Sequence, residues 1–365
     1  MSSFANRLTQ GLEPYTPGEQ PKEPGLIKLN TNENPFGPGP KVREAIASFP
    51  LEALRLYPDP ESVQLRSKLA EAAGLSPEQV FVGNGSDEIL AFIFQTFFEA
   101  KGEPLLFPEK TYSFYEVYAK RYGIPCLTLP LDADEQIDVT AFDRPSQAVI
   151  LANPNAPTGC LLTPPEIAEL CAQNEERLVV VDEAYIDFAP EGMTALSLLA
   201  RFANLLVVQT YSKSRSLAGL RIGMAYGSPE LVNDLSKQKN CFNSYPLDRL
   251  AQTLARAALE EGGYYRHCCA VVRNTREEVA ETLRGMGFFV TRSHANFLWI
   301  RHPEQTGEEL YKALRSRRFL VRHWQRPGFR DFLRVTVGSA EDMGIFQRAL
   351  AEIIQYNGSV SEVER

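Results

Sequence analysis

Between residues 80 and 226, short runs of aliphatic and β-branched residues alternate with longer stretches whose apolar positions recur at helical spacing. The short runs predict strands at Val80 to Val82, Leu105 to Phe107, Cys126 to Leu129, Ala148 to Ala152, Leu178 to Val181, Leu205 to Gln209 and Ile222 to Tyr226. Four intervening stretches, Asp87 to Ala100, Tyr112 to Tyr122, Pro165 to Glu176 and Glu230 to Lys239, are bounded by Gly, Pro or a capping residue and predict helices. Such alternation is the mark of a parallel sheet covered by helices, because parallel neighbours need a crossover connection. The expected architecture is α/β, with one large, mostly parallel, seven-stranded sheet.

Downstream the pattern changes. In LDRLAQTLARAALEE and AVVRNTREEVAETLRGM, within Pro246 to Met286, apolar residues keep a helical period and predict long helices broken near Gly262-Gly263. Strand-like Phe288 to Thr291, Asn296 to Ile300, Phe319 to His323 and Phe332 to Val337 follow, with helices near Gly307 to Arg317 and from Ala340. These make a smaller α+β lobe. Residues 1–40 carry Pro14, Pro17, Pro21, Pro24, Pro35, Pro38 and Pro40 among several glycines, which prevents long regular structure. The expected division is an N-terminal arm over 1–40, a large α/β domain over 41–250 and a small domain over 251–365, with the closing NGSVSEVER a fraying tail.

Composition narrows the class without naming an activity. Across 365 residues, 44% are apolar and 23% charged, the balance of an ordinary globular chain. With 46 acidic against 38 basic side chains the formal charge is -8, which removes the electrostatic drive for nucleic acid binding. The longest apolar runs fall far below the roughly 18 residues that span a bilayer. Met1 to Gln20 lacks a signal-length apolar stretch and carries Glu13 and Glu19, so a cytoplasmic location is the default expectation. Six cysteines without a C-x-x-C pair, and four histidines not spaced with them as ligands, read as free thiols with no metal.

Candidate chemistry sits in the connections. Lys213 follows the strand-like LLVVQT, in Tyr211-Ser212-Lys213-Ser214, eight residues before Arg221 of Ala218-Gly219-Leu220-Arg221-Ile222-Gly223. Val179-Val180-Val181-Asp182-Glu183-Ala184-Tyr185 ends a buried-looking strand in two carboxylates and a phenol, and Asn153-Pro154-Asn155-Ala156-Pro157-Thr158-Gly159 follows another. Gly83-Asn84-Gly85-Ser86-Asp87-Glu88 closes a strand and opens a helix, where backbone N–H groups and the helix dipole favour a phosphate. It lacks the third glycine of a dinucleotide fingerprint. Taken singly, each has an ordinary explanation: a surface lysine, a solvated loop, a turn, a helix capped at Ser86.

In this order and spacing the segments resemble the fold type I pyridoxal-5'-phosphate-dependent aminotransferases. The resemblance runs from LNTNENP, around Asn30 to Asn34, through GNGSDE, NPNAPTG, VVDEAY and SKSRSLAGLRIG to LRVTVG, nearly the whole chain. Within the family it is most similar to the histidinol-phosphate branch, through Pro14-Tyr15-Thr16-Pro17-Gly18, Leu56-Tyr57-Pro58-Asp59, Val321-Arg322-His323-Trp324 and Arg334-Val335-Thr336-Val337-Gly338.

The resemblance implies a fold type I transferase that holds pyridoxal 5'-phosphate and works as a homodimer. By it, Lys213 forms a Schiff base with the cofactor and, displaced by the substrate amine, is free as a base. Asp182 faces the pyridine nitrogen, Tyr185 donates to the 3'-oxygen and Tyr112 stacks on the ring. The Ser86 and Asp87 amides, the Ser212 hydroxyl and Arg221 take the phosphate, joined by Tyr57 from the neighbouring subunit. The family's asparagine directly before Pro-Thr-Gly is Ala156 here, and Asn155 is the candidate to supply the amide instead.

On the substrate side, Arg334 receives the distal acidic group, Arg322 adds a second guanidinium that favours phosphate, and Tyr15 in the arm closes over the substrate. His323 and Trp324 are candidates for lining an imidazole pocket, although alternation turns at least one of these neighbours away. The implied reaction converts L-histidinol phosphate and 2-oxoglutarate to imidazole acetol phosphate and L-glutamate, a step of histidine biosynthesis. An aromatic or broad-specificity aminotransferase and a threonine-phosphate decarboxylase share the cofactor machinery and stay open at this point. A regulator with its own DNA-binding domain has no room ahead of residue 40.

Overall fold

The computed structural model describes residues 4–20 and 23–363, by backbone alone from residue 356 on. What the sequence suggests for Met1 to Ser3, Pro21, Lys22, Glu364 and Arg365 lies outside the described residues. The chain opens with α1 (Arg7–Gln10), β1 (Ile27–Leu29), α2 (Pro40–Ala47) and α3 (Val63–Ala73). There follow β2 (Val80–Asn84), α4 (Gly85–Phe97), β3 (Leu105–Pro108), α5 (Phe114–Tyr122), β4 (Cys126–Leu129), β5 (Ala148–Ala152) and α6 (Pro164–Gln173). Next come β6 (Leu178–Asp182), β7 (Leu205–Thr210), β8 (Ile222–Tyr226), α7 (Pro229–Phe242), α8 (Arg249–Leu259) and α9 (Gly262–Gly285). The last elements are β9 (Phe289–Val290), β10 (Phe297–Arg301), α10 (Gly307–Ser316), β11 (Phe319–Val321), β12 (Leu333–Thr336) and α11 (Ala340–Val363).

All seven strands expected between residues 80 and 226 join one sheet, in the order β2-β8-β7-β6-β5-β3-β4. From β4 to β7 the neighbours are parallel, whereas β8 is antiparallel to both β7 and β2. Strands β5 to β8 are buried along almost their whole length, which is why they read as unbroken aliphatic runs. Successive side chains go to opposite faces. Val149, Val179 and Val207 join a core with α3, α6 and α8, while Ile150, Val180 and Val208 join another with α4, α5 and α7.

The direction of β8 decides where its first residues lie. Asn84 pairs with Ile222 and Thr210 with Gly223, so β8 begins at the edge where β2 and β7 end. There it meets the start of α4 backbone to backbone: a Cβ on Gly223 would stand 2.4 Å from the Gly85 carbonyl carbon and 2.5 Å from the Ser86 nitrogen.

A third core gathers the antiparallel sheet β12-β10-β9 and the parallel pair β1-β11 under α9, α10 and α11. Although β1 comes from the N-terminal segment, it pairs with β11 from Ile27↔Phe319 to Leu29↔Val321. Within α9, Tyr265 belongs to the first core and Cys269 to the third, so the handover falls inside that helix.

Two helices were not evident in the hydrophobic pattern. Only Val42 of α2 is buried, and α3 buries Leu65, Leu69 and Ala70, stripes too thin to stand out. The expected fraying tail is instead helical backbone to Val363. Extending a nucleated helix by one residue is easy, and a single glycine costs only about 1 kcal/mol, so Asn357-Gly358 does not stop it. All six cysteines are free, and among the described residues no helix is long and apolar enough to cross a membrane.

Candidate active site

Strand ends deliver polar connections to the carboxyl edge of a parallel sheet, and here they surround a cavity of about 150 Å³. Lys213, three residues past β7, lines it. Its Nζ donates to the Thr31 carbonyl at 3.1 Å and lies 5.8 Å from the centre of the Tyr185 ring. Asn34 fixes the lysine loop, its Nδ2 donating to the carbonyls of Lys213 and Ser214 at 3.2 Å each, while the Ser214 hydroxyl donates to Asp187.

Asp182 ends β6 and is 4% exposed, flanked by β5 and β7. Burial raises its carboxyl to about 6. The Tyr115 hydroxyl at 3.0 Å and the Ala184 amide at 3.2 Å both donate to it and oppose that rise only in part. Neither is a cation, so the buried charge is hydrogen-bonded but not neutralised. The adjacent Glu183 is also raised by burial, to about 7, but its oxygens serve Thr194, Ala195 and Gln209 inside the fold. Tyr185 faces the cavity; its hydroxyl accepts from Asn32 Nδ2 at 3.0 Å, and Asn32 Oδ1 accepts from Thr336 at 3.0 Å.

At the start of α4 the cap is Asn84, not Ser86, and it makes no side-chain capping bond. Ser86 is free for the cavity because the strand already ends at Asn84, whose N–H donates to Glu88 at 2.6 Å. Gly85 adopts φ +79°, and a Cβ there would come within 2.6 Å of Arg221 Nη2. The first N–H groups of a helix have no intrahelical acceptor. Beside them, Arg221 Nη2 pairs with Asp87 at 2.9 Å and Arg221 Nη1 lies 3.5 Å from the Ser212 hydroxyl. Tyr112 donates to the other Asp87 oxygen at 2.8 Å. Ser86, Asp87, Ser212, Arg221 and Tyr112 thus line one cavity with Lys213, and the Asp87 carboxylate braces two of them.

Arg322 and Arg334 bring guanidiniums to the same cavity. Their backbones form an antiparallel bridge, N–H to O at 3.0 and 2.9 Å. Arg334 Nη2 donates to the Asn30 carbonyl at 3.0 Å, and Arg322 Nη2 to the Thr16 carbonyl at 2.7 Å. Burial lowers the proton affinity of Arg334, and its Nε has no partner. Tyr15 lines the cavity from the arm, its ring 4.5 Å from that of Phe114. His323 is turned to Tyr311, with ring centres 5.7 Å apart, and to the Arg330 carbonyl at 2.8 Å.

Two expected residues lie elsewhere. Asn155 is fully buried: its Oδ1 accepts from Thr111 at 2.9 Å, and its Nδ2 donates to the Lys110 carbonyl at 2.8 Å and to Thr158 at 3.0 Å. That amide is engaged in bracing its own loop, and Ala156 lines the cavity in its place. Tyr57 is 79% exposed and stacks on Tyr245 with centres 4.8 Å apart, away from the cavity of its own chain. Conversely, Thr31, Asn32 and Thr210 line the cavity and Tyr115 holds Asp182, although no role was read for them. The sequence signal for Thr31 and Asn32 is their shared place in LNTNENP.

The family profile for aminotransferase class I and II matches residues 24–350. A histidinol-phosphate aminotransferase of Acetobacter pasteurianus is 49% identical over 357 residues, covering 98% of this chain and 99% of that protein. One from Pseudomonas putida (strain W619) is 50% identical over 341 residues, covering 93% and 97%. Among solved structures, the histidinol-phosphate aminotransferase of Sinorhizobium meliloti in complex with pyridoxal-5'-phosphate superposes with a TM-score of 0.88 at 25% identity, covering 98% of this chain and 99% of that one. Sequence and fold agree along nearly the full length, and the chain belongs to the class I and II aminotransferases.

Proposed function

We propose that this aminotransferase uses pyridoxal 5'-phosphate to transfer the amino group of L-histidinol phosphate to 2-oxoglutarate, a step of histidine biosynthesis in the cytoplasm. The observation that carries the substrate is the presence of two guanidiniums, Arg322 and Arg334, in one cavity with Lys213. Identity near one half to histidinol-phosphate aminotransferases over almost the whole chain supports it.

The residues present fit the cofactor. Asp182 is a buried carboxylate that a protonated ring nitrogen would neutralise, and the glycine-lined start of α4 with Ser212 and Arg221 is an anion cradle. When bound, the cofactor supplies an aldehyde that takes up the amino group and a protonated ring that draws off the electrons left at the substrate α-carbon.

Lys213 Nζ would anchor it and is placed to take the proton that leaves the substrate α-carbon. Asp182 would keep the ring nitrogen protonated; an opposite charge at about 4 Å and an effective dielectric near 20 is worth about 4 kcal/mol. Tyr185, held by Asn32, would donate to the cofactor's 3'-oxygen, and Tyr112 would stack on its ring. The Ser86 and Asp87 amides, Ser212 and Arg221 would hold the phosphate. Arg322 and Arg334 would together receive the substrate phosphate, and in the second half of the cycle Arg334 would take the distal carboxylate of 2-oxoglutarate, while Tyr15 closes the cavity.

Tyr57 belongs in this reading to the partner's phosphate cradle in a homodimer. The exposed apolar side chains Leu51, Leu54, Leu56, Tyr57, Phe242 and Tyr245 support such an interface. The division into arm, large domain and small domain goes with it, and the change of core inside α9 favours a last boundary near Tyr265 over one at residue 250.

The test is the first half-reaction: cofactor-loaded protein is mixed with L-histidinol phosphate or with L-phenylalanine, and loss of the visible band is followed. A large preference for histidinol phosphate is expected. Equal or reversed efficiency would move the assignment to an aromatic aminotransferase, and carbon dioxide release from threonine phosphate would move it to a decarboxylase.

A further inference from the structure

We infer that Trp324 sets the preference for a phosphate-bearing substrate by holding the Arg322 and Arg334 guanidiniums side by side. The inference rests on the proposed function, in which these arginines form the anion site. Trp324 acts through them as a positioning residue.

Two guanidiniums brought together by a backbone bridge repel each other, and among the described residues no carboxylate forms an ion pair with either. Each is anchored instead by a backbone carbonyl, Thr16 for Arg322 and Asn30 for Arg334. What stands beside both is the Trp324 indole. The Arg322 Cζ lies 5.0 Å from the centre of its ring and the Arg334 Cζ 5.3 Å, both within the reach of a cation–π contact. An aromatic face attracts two cations without neutralising either. A carboxylate in the same place would cancel their charge and repel an incoming phosphate.

The donors therefore stay available. A guanidinium carries five N–H groups, and the hydrogen bonds to Thr16 and Asn30 engage one on each. Arg334 Nε is buried with no partner. The indole is itself fixed: Trp299 and Phe329 meet it at 5.9 and 5.8 Å, and Trp299 stacks flat on Phe332 at 4.6 Å with the planes 2° apart. The spacing of the two guanidiniums is thus set before substrate arrives. A dianionic phosphate can engage both at once, whereas a single carboxylate is satisfied by one planar fork.

The experiment compares cofactor-loaded wild type, Trp324→Phe and Trp324→Leu in half-reactions with L-histidinol phosphate and with L-glutamate, and measures inhibition of the glutamate half-reaction by inorganic phosphate. Trp324→Leu is expected to raise the KM for histidinol phosphate about tenfold, with kcat within about twofold of wild type. Glutamate should lose no more than about threefold, the phosphate inhibition constant should rise alongside the histidinol phosphate KM, and Trp324→Phe should restore most of the preference. Equal losses for both substrates would reveal a packing defect and overturn the inference, as would an unchanged histidinol phosphate KM in Trp324→Leu. A wild type that ignores inorganic phosphate and prefers neither substrate overturns the proposed function, and the inference with it.

Discussion

Asp182 carries a burden in the cofactor-free protein that the cofactor would relieve. Its folded carboxyl titrates near 6 against an ordinary value of 3.8, so the folded chain holds a proton more tightly than the unfolded one between those values. Raising the pH through that window therefore removes stability. A shift of this size corresponds to about 3 kcal/mol at most, and an asparagine returns part of it, having one acceptor oxygen for the two donors Tyr115 and Ala184. Cofactor-free Asp182→Asn should be the more stable protein at pH 7.5 by about 1 to 3 kcal/mol and lose that advantage by about pH 4. Urea unfolding at the two pH values checks it; an advantage of the same size at both would mean that ionisation is not the cause. With cofactor the sign reverses, because an amide cannot hold the ring proton, and affinity should fall. At this scale the sequence was informative where chemistry demands one residue type, as at Lys213 and Asp182. It pointed Asn155 at the cofactor, whereas the amide is bound to Thr111 and Lys110 of a loop far away in sequence, which no local pattern reveals.

Strands β5 to β8 were legible as elements because burial on both faces leaves continuous aliphatic runs, but their order and direction were not, since pairing is a long-range property. The antiparallel β8 matters most here. It puts Arg221 beside Ser212 and brings Gly223 against the first turn of α4. An alanine Cβ at residue 223 would press on the Gly85 and Ser86 backbone, which cannot move aside as a flexible side chain can. Gly223→Ala should push back the start of α4 and weaken cofactor binding about tenfold or more. Gly219→Ala, which has open space around it, should bind as wild type. Equilibrium dialysis of pyridoxal 5'-phosphate against both variants decides the matter, and equal affinities would show that the close approach does not shape the cradle.

For the whole molecule, the decisive residue is Tyr57, which does not line the cavity of its own chain. Tyr57 lies on a loop held by Arg249, which donates to its carbonyl at 2.6 Å, and by Lys239, which donates to the Pro60 carbonyl and to Glu61 at 2.9 Å each. A loop fixed so firmly, yet presenting an exposed phenol, is built to meet something outside the chain. If that is the partner's phosphate cradle, subunits with different defects should repair one another. A Tyr57→Ala subunit keeps its own Lys213, and a Lys213→Ala subunit keeps a Tyr57 to lend. Refolding the two variants together at equal concentration gives about half mixed dimers, each with one complete site of two, so about a quarter of wild-type activity should return from two nearly inactive parents. The visible band should reappear only to the extent contributed by Tyr57→Ala subunits, because the other parent lacks the lysine that produces it. Activity that stays at the sum of the parents, in a mixture shown by native mass to contain mixed dimers, would mean that Tyr57 serves its own chain or none.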